Sequence, residues 1–446
     1  MIFLPLIVPL LLHGSALGPQ QPNRPVDPNN GYEDYLRAAD VLKASDIGPL
    51  LSWSPDNYSR LLEAKKASMN SDPKDEFHFE WSEEDERSLQ VAKSLSGATY
   101  LQIYRQISDK SSKILDIVRV GNAKRAYDPR TSSNLATLFP ELAQFKSIAK
   151  VFSSDAYAKY AAGDSRGATS GLLDGLTFSQ RISGSSLIGG LVGIACTAIC
   201  LAGFEENLDR LSDSDCLRIS KNMTKMLAEP IPMIEALRGE AKSLINSIDL
   251  MLKNPKEYLM LTFDEKPDAS TAMFLDYFAR LSEDQKTQVR SSLTSKINSF
   301  FGHAISTISG DERRWLSLPL SVNAPNEVTN IDEVTDFLLS QMVPVVRQTV
   351  LAQAKLRAQM RLLDLHARIL DYRWNNLKLP EQLADAVPQA LLFDPLSGQS
   401  FAYEKKATGY SLFSRGVPET GKIELKYRRD PNANLGQGDA GGVPPP

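Results

Sequence analysis

Few residues in this chain have the type and spacing that chemistry requires. There are four histidines in 446 residues, His13, His78, His303 and His366, and no HExxH pair among them, so the common zinc-protease arrangement is absent. Gly163-Asp164-Ser165-Arg166-Gly167 matches the GxSxG elbow, in which a nucleophilic serine stands on a strained turn between a strand and a helix. Here the preceding spacing is helical, which predicts that Ser165 lies in the turn of a helical hairpin. Ser147-Ile148-Ala149-Lys150 and Ser71-Asp72-Pro73-Lys74 match the SxxK of acyl-enzyme serines, without its SDN or KTG companions. Gly416 to Lys422 fits GxxxxGK, but Ile423 stands where a phosphate loop needs Ser or Thr. Gly436 to Gly441 fits GxGxxG in a Gly/Pro tail with no helix after it. Glu83, Glu84, Asp85 and Glu86 offer carboxylates for acid/base work and read more simply as anions at the positive end of a helix. Cys196 and Cys200 share a helix face, yet no histidine is near them in sequence, and small buried apolar residues is the simpler reading. The sequence thus predicts no catalytic, cofactor-binding or metal-binding residue, and no cofactor.

Composition narrows the class. With 42% apolar residues the chain can bury a sizeable core, and at this length it can form two or three domains. Lysine and arginine number 50 against 54 aspartates and glutamates, neither sign collected in a long block, so nucleic acid is not expected as a partner. Three cysteines, Cys196, Cys200 and Cys216, argue against a disulfide framework. Residues 1–16 are uncharged through Leu12 and end in small residues, as an export signal does, although a basic start is missing. Residues 17–30 carry Pro19, Pro22, Pro25 and Pro28 and read as a linker.

The elements that must position any site are mainly helical. In a body spanning residues 31–343, Asn30, Ser54-Pro55, Ser82, Ser212 with Asp215, Asp268, and Ser282 with Gln285 mark helix starts. Leu142, Phe145, Ala149, Phe152, Ala156 and Tyr160 mark the helix before Gly163, and Ala168, Leu172 and Leu176 the one after. Ser183 to Phe204 carries no charge for 22 residues, which meets the length of a membrane span. Glycines at 189, 190, 193 and 203 and the acidic flank at Glu205, Glu206 and Asp209 favour a buried central helix instead. Residues 310–330 read as a loop, and Pro344 as a kink or break before the next helix.

That helix shows apolar residues at Leu356, Met360, Leu363, Ala367, Leu370, Trp374 and Leu377, one continuous face. Arg357, Arg361, Asp364, Arg368 and Asp371 lie beside it as a solvated strip, with His366 and Arg373 also at its edge. Pro380 ends the helix near Leu377, and Glu381 to Val387 can add one further turn. Asp394-Pro395-Leu396-Ser397-Gly398 is a turn, and alternation about Phe401 and Tyr403, Tyr410 and Leu412, and Ile423, Leu425 and Tyr427 predicts a three-stranded antiparallel sheet. The order of long helix, "LPEQL", "FDPLSGQSFAYE" and "GYSLFSRG" resembles the globular end of type II secretion major pseudopilins. The resemblance implies a small sheet on a long helix over residues 344–430, with a Gly/Pro tail at 431–446. Two features depart from that family: Arg347, Gln348, Gln353 and Lys355 precede Leu356, and Ser414-Arg415-Gly416 is followed by one carboxylate, Glu419, where calcium takes about six to eight oxygens. The whole chain also resembles secreted bacterial proteins that begin with a segment like "NGYEDYLRAADVL" and end in the "LP…DPLSG" module.

The expected fold is mainly α, a multi-helix body followed by a small α+β unit. The expected role is a non-catalytic exported envelope or extracellular interaction protein with a protein partner. The competing expectation is an enzyme whose site is assembled from scattered polar residues of the helical body.

Overall fold

Capping chemistry sets most of the helix starts. The computed structural model describes residues 27–54, 57–70, 81–130, 139–184, 186–253, 269–317, 328–407 and 409–425. Helix α1 spans Gly31–Lys43 with Asn30 Oδ1 accepting from the Tyr32 amide, and a short α2, Ile47–Leu51, follows. Helices α3 (Asn57–Asn70) and α4 (Glu83–Ser94) come next, the latter opened by a reciprocal Ser82–Asp85 capping box. Thr99 and Gln102 open α5, Tyr100–Asn122, in the same way, each such cap stabilising its helix by about 1 kcal/mol. Helix α6 is Glu141–Ala161 and α7 is Ser165–Arg181, packed on each other as the expected hairpin.

Helix α8, Leu187–Glu205, is the uncharged segment. It is long and apolar enough to cross a membrane, and 61% of its most apolar stretch is buried in the protein, against α6, α7, a later helix α10 and the long helix α13. Its glycines allow the close approach: a Cβ on Gly203 would sit 2.9 Å from the Leu172 side chain. Helices α9 (Asp213–Ala228), α10 (Pro232–Lys253), α11 (Ala269–Phe278) and α12 (Glu283–Ser309) complete the body, α9 and α12 opened by the Ser212–Asp215 and Ser282–Gln285 boxes. On α12 Phe301 is buried in the core while Phe300 is half-buried. Within the expected loop after α12, Glu312–Ser317 is a 3-10 segment that buries Trp315.

Helix α13 runs unbroken from Ile331 to Asn376, 46 residues, so Pro344 does not separate two helices. The body and the C-terminal unit therefore share one rod across residues 343 and 344. Its stripe is buried at Leu356, Met360, Leu363, Ala367 and Leu370, but Trp374 and Leu377 are exposed. The expected solvated strip is also corrected, since Arg357 and Asp364 are buried. The cause is packing on several sides: Ala358, Leu362, Leu365 and Ile369 are buried too, and Arg357 and Arg361 both bind Glu312 at 2.8 and 2.6 Å. Glu381 to Val387 contributes only a 3-10 turn, Leu383–Asp385.

Two small antiparallel sheets end the chain. Strands β1 (Phe393–Asp394) and β2 (Gln399–Ser400) flank the Asp394 turn, where Gly398 takes φ 70°, a conformation that side chains resist. Strands β3 (Ala402–Lys406), β4 (Gly409–Ser414) and β5 (Ile423–Glu424) form the three-stranded sheet in the order β3-β4-β5, with Ala402 opposite Phe413 and Phe413 opposite Glu424. Strands β4 and β5 lie against α13, and one continuous core runs from Tyr32 to Leu425. The fold is mainly α with a small α+β unit. Residues 1–26, Asp268, Tyr427 and the 431–446 tail lie outside the described residues.

Candidate functional site

The GxSxG serine sits where two helix starts meet. Helix α6 ends at Ala161, Gly163 turns the chain at φ 82°, and Asp164 caps α7 by accepting from the Gly167 amide at 2.8 Å. Ser165 is thus the first residue of α7 and donates its hydroxyl to Asp215 Oδ2 at the start of α9. The Ser212 hydroxyl donates to the same oxygen at 2.6 Å and the Ser212 amide at 3.2 Å. Asp215 is fully buried, and its Oδ1 lies 3.8 Å from the Arg218 guanidinium. A serine activated for attack needs a neighbouring base free to take its proton. The Oδ2 oxygen facing Ser165 already accepts from the Ser212 hydroxyl and the Ser212 amide, an arrangement that ties the α6–α7 turn to α9.

The described histidines are elsewhere. His303 is exposed on α12, whereas His366 is fully buried between α13 and the sheet. Its Nδ1 meets the Tyr410 hydroxyl at 2.8 Å and its Nε2 the Leu425 carbonyl at 3.0 Å. A carbonyl only accepts, so Nε2 carries the proton and the Tyr410 hydroxyl donates to Nδ1. Burial lowers the imidazole pKa to about 4, so the ring is neutral near pH 7. His366 therefore does not lie at the edge of the stripe but serves as the polar joint between the helix and β4–β5. His13, His78, Ser71 to Lys74 and Gly436 to Gly441 lie outside the described residues.

The other motifs resolve into structure. Ser147 donates to the Ala143 carbonyl of its own helix at 3.2 Å, and Lys150 is pushed down by burial and by Lys146 beside it. Asp85 closes the capping box, while Glu86 holds Lys65 at 2.5 Å and the Trp81 indole at 3.0 Å. The Cys196, Cys200 and Cys216 thiols are buried and raised by burial, the last two to about 12, which keeps them protonated and unreactive. The segment from Gly416 to Lys422 is the turn between β4 and β5, and its Glu419 lies 4.0 Å from Arg347. Among the described residues no group of His, Cys, Asp or Glu side chains is arranged to hold a metal ion.

Two further features carry no sequence motif. Arg130 donates to Glu141 at 2.5 Å and to the Tyr32 hydroxyl at 3.2 Å, pairs with Asp128, and lies 4.2 Å over the Phe139 ring. Burial and Glu141 raise Tyr32 well above its ordinary value. Every group in that cluster is engaged, so it fastens α1 to the start of α6. The second feature is an open groove of about 330 Å³ between α10 and α12. Ala241 and Phe301 are buried in its floor with Ile245 and Ile305 beside them, and Arg238 and Lys242 line its edge. Gly302 leaves a gap in its wall, because a Cβ there meets no atom within 4 Å. The side on which α12 leaves α10 uncovered has no signal in the sequence.

No family model, curated protein or solved structure matches the chain.

Proposed function

We propose that this is a non-catalytic, exported interaction protein of the cell envelope or extracellular space, which engages a protein partner. The observation that carries this reading is the α10–α12 groove. Its described lining is apolar side chains, two cations, an asparagine and a glycine, with no acid, histidine, cysteine or serine to transfer a proton or attack a substrate. Large, rigid apolar floors such as Phe301 are what partner side chains dock against. Ser147, Ser165, His366 and the three cysteines are engaged in structural bonds or buried, which removes support from the enzyme alternative. Export is supported by the apolar residues 1–16 and the proline-rich 17–30, and an envelope role by the pseudopilin-like order of elements in the C-terminal unit.

A photo-crosslinking residue at position 302, in cells expressing the chain with its own N-terminus, tests both parts. The expected result is a discrete protein adduct in the envelope or medium fraction, on a chain that has lost its first residues by mass spectrometry. The same probe at Gly48, whose Cβ also meets open space, is expected to give none. A full-length cytoplasmic product without an adduct overturns the reading.

A further inference from the structure

A second opening lies inside the body, where α7, α8 and α13 meet. It is a cavity of about 10 Å³, room for one atom-sized occupant and for no organic molecule. Its polar lining comes from Gln180 at the end of α7, Ser183 just beyond it, Thr197 on α8, and Gln353 and Arg357 one turn apart on α13.

Three of these side chains keep nitrogen donors that no described residue uses. Gln353 is only 7% exposed and has no hydrogen-bond partner among the described residues. The Gln180 amide nitrogen meets only the Met360 sulfur, at 3.7 Å, and a thioether is a weak acceptor. Arg357 gives Nε to Glu312 at 2.8 Å and Nη2 to the Leu227 carbonyl at 3.0 Å, so its Nη1 is the nitrogen left over. The two hydroxyls are directed elsewhere, Ser183 to the Ser179 carbonyl at 3.1 Å and Thr197 to the Gly193 carbonyl at 2.9 Å.

The charge beside the cavity is unbalanced in the same direction. Arg361 bonds both Glu312 oxygens, at 2.8 and 2.6 Å, so Arg357 shares its one carboxylate with a second guanidinium. The nearest buried carboxylate along α13, Asp364, is paired with Arg368 at 3.0 Å. Burial lowers the Arg357 pKa in spite of Glu312, and Arg361 adds to the shift. The described lining holds no Asp or Glu, so a cation there would meet Arg357 with nothing to hold it. Water would satisfy the donors and leave the surplus charge in place, whereas an anion answers both.

We propose that this cavity binds one monatomic anion, a halide such as chloride, held by Arg357 and by the amides of Gln353 and Gln180. Bound there, the ion supplies the missing negative charge and ties α7 to α13 beside the apolar helix α8. The site shares no lining residue with the α10–α12 groove and stands whether or not that groove docks a partner.

Two measurements on the full chain test it. Crystals grown in sodium bromide are expected to show one anomalous peak in the cavity. In solution, at constant ionic strength made up with sodium gluconate, whose anion is too large for the cavity, the melting temperature is expected to rise with the logarithm of chloride concentration once the site fills. Gln353→Met keeps the side chain's length and removes its amide. It is expected to weaken chloride binding by about tenfold or more, the loss of one hydrogen bond to a charged group, and to melt in gluconate alone no lower than wild type. Water in the cavity without an anomalous peak, a rise that gluconate reproduces, or an undiminished chloride response in Gln353→Met overturns the proposal. A bromide peak with no chloride response in solution is an adventitious ion only and overturns it too. Should Gln353→Met fail to fold, the bromide peak and the wild-type chloride response decide the matter between them.

Discussion

Asp215 in the helical body and Asp394 in the C-terminal unit are two buried carboxylates with similar jobs and different completeness. Each accepts two serine hydroxyls on one oxygen, Asp215 from Ser165 and Ser212, Asp394 from Ser397 and Ser414 at 2.5 and 2.6 Å. Each also joins a local turn to a distant element. Each takes one amide on that same oxygen at 3.2 Å, from Ser212 and from Ser397, but Asp394 has in addition the Leu396 amide on Oδ1 at 3.1 Å, so both its oxygens are bonded. Asp215 Oδ1 has no hydrogen bond and faces Arg218 at 3.8 Å. The difference teaches that a serine next to a carboxylate is a fastening in both places. Its strength follows from how many donors the carboxylate satisfies, and the sheet unit, with little core of its own, depends on it more.

Asp394→Ala should have the largest effect on this comparison. It strands two amides and two hydroxyls at a fully buried site, at a cost of about 3–5 kcal/mol in chemical denaturation. A loss under about 1 kcal/mol would mean that the turn stands without its carboxylate.

His366→Ala comes next, at about 2–4 kcal/mol, because it removes a fully buried ring bonded to Tyr410 and Leu425 and leaves a cavity. The effect should approach that of Leu363→Ala, whose buried stripe position costs about 2–5 kcal/mol. His366 adds a pH signature. Its folded pKa of about 4 lies below the ordinary 6.5, so its contribution is fully present above pH 6.5 and is lost as pH falls toward 4. The loss is about 3 kcal/mol across that window, and His366→Gln should flatten the slope. Equal slopes in wild type and variant would remove His366 from the acid response.

Asp215→Ala should cost less than Asp394→Ala, about 1–3 kcal/mol, since one oxygen lacks a hydrogen bond and the helix keeps its Ser212 cap. Reversing that order would show that Arg218 contributes more than its 3.8 Å separation implies. Ser165→Ala is expected to have the smallest effect, about 1 kcal/mol or less, with unchanged behaviour toward acyl-serine reagents. Stoichiometric labelling of Ser165 in wild type would restore the nucleophile.

Much of the fold was legible because its signals are local. Ser82, Ser212 and Ser282 start helices through side chains that reach only three residues onward, and the alternation at Phe401 to Leu412 is a property of one strand pair. The helix through Pro344 was not legible, because the penalty for an internal proline is local while the packing that offsets it comes from other elements. His366 and Arg373 looked equivalent beside the same stripe. Only β4 and β5, folding back onto α13, made His366 a buried joint.

By itself, then, the sequence determined the helical class, the cap residues, the turn at Asp394 and the absence of the motifs that zinc proteases and phosphate loops require. These depend on neighbours within a few residues, where chain geometry leaves little choice. The tertiary structure alone decided that Ser165 meets a carboxylate oxygen already shared with Ser212, that Arg357 and Asp364 are buried, that α10 and α12 leave a groove, and that Leu377 stays in water. Each depends on which faces of distant helices meet, and apolar periodicity specifies that a face is buried without specifying against what.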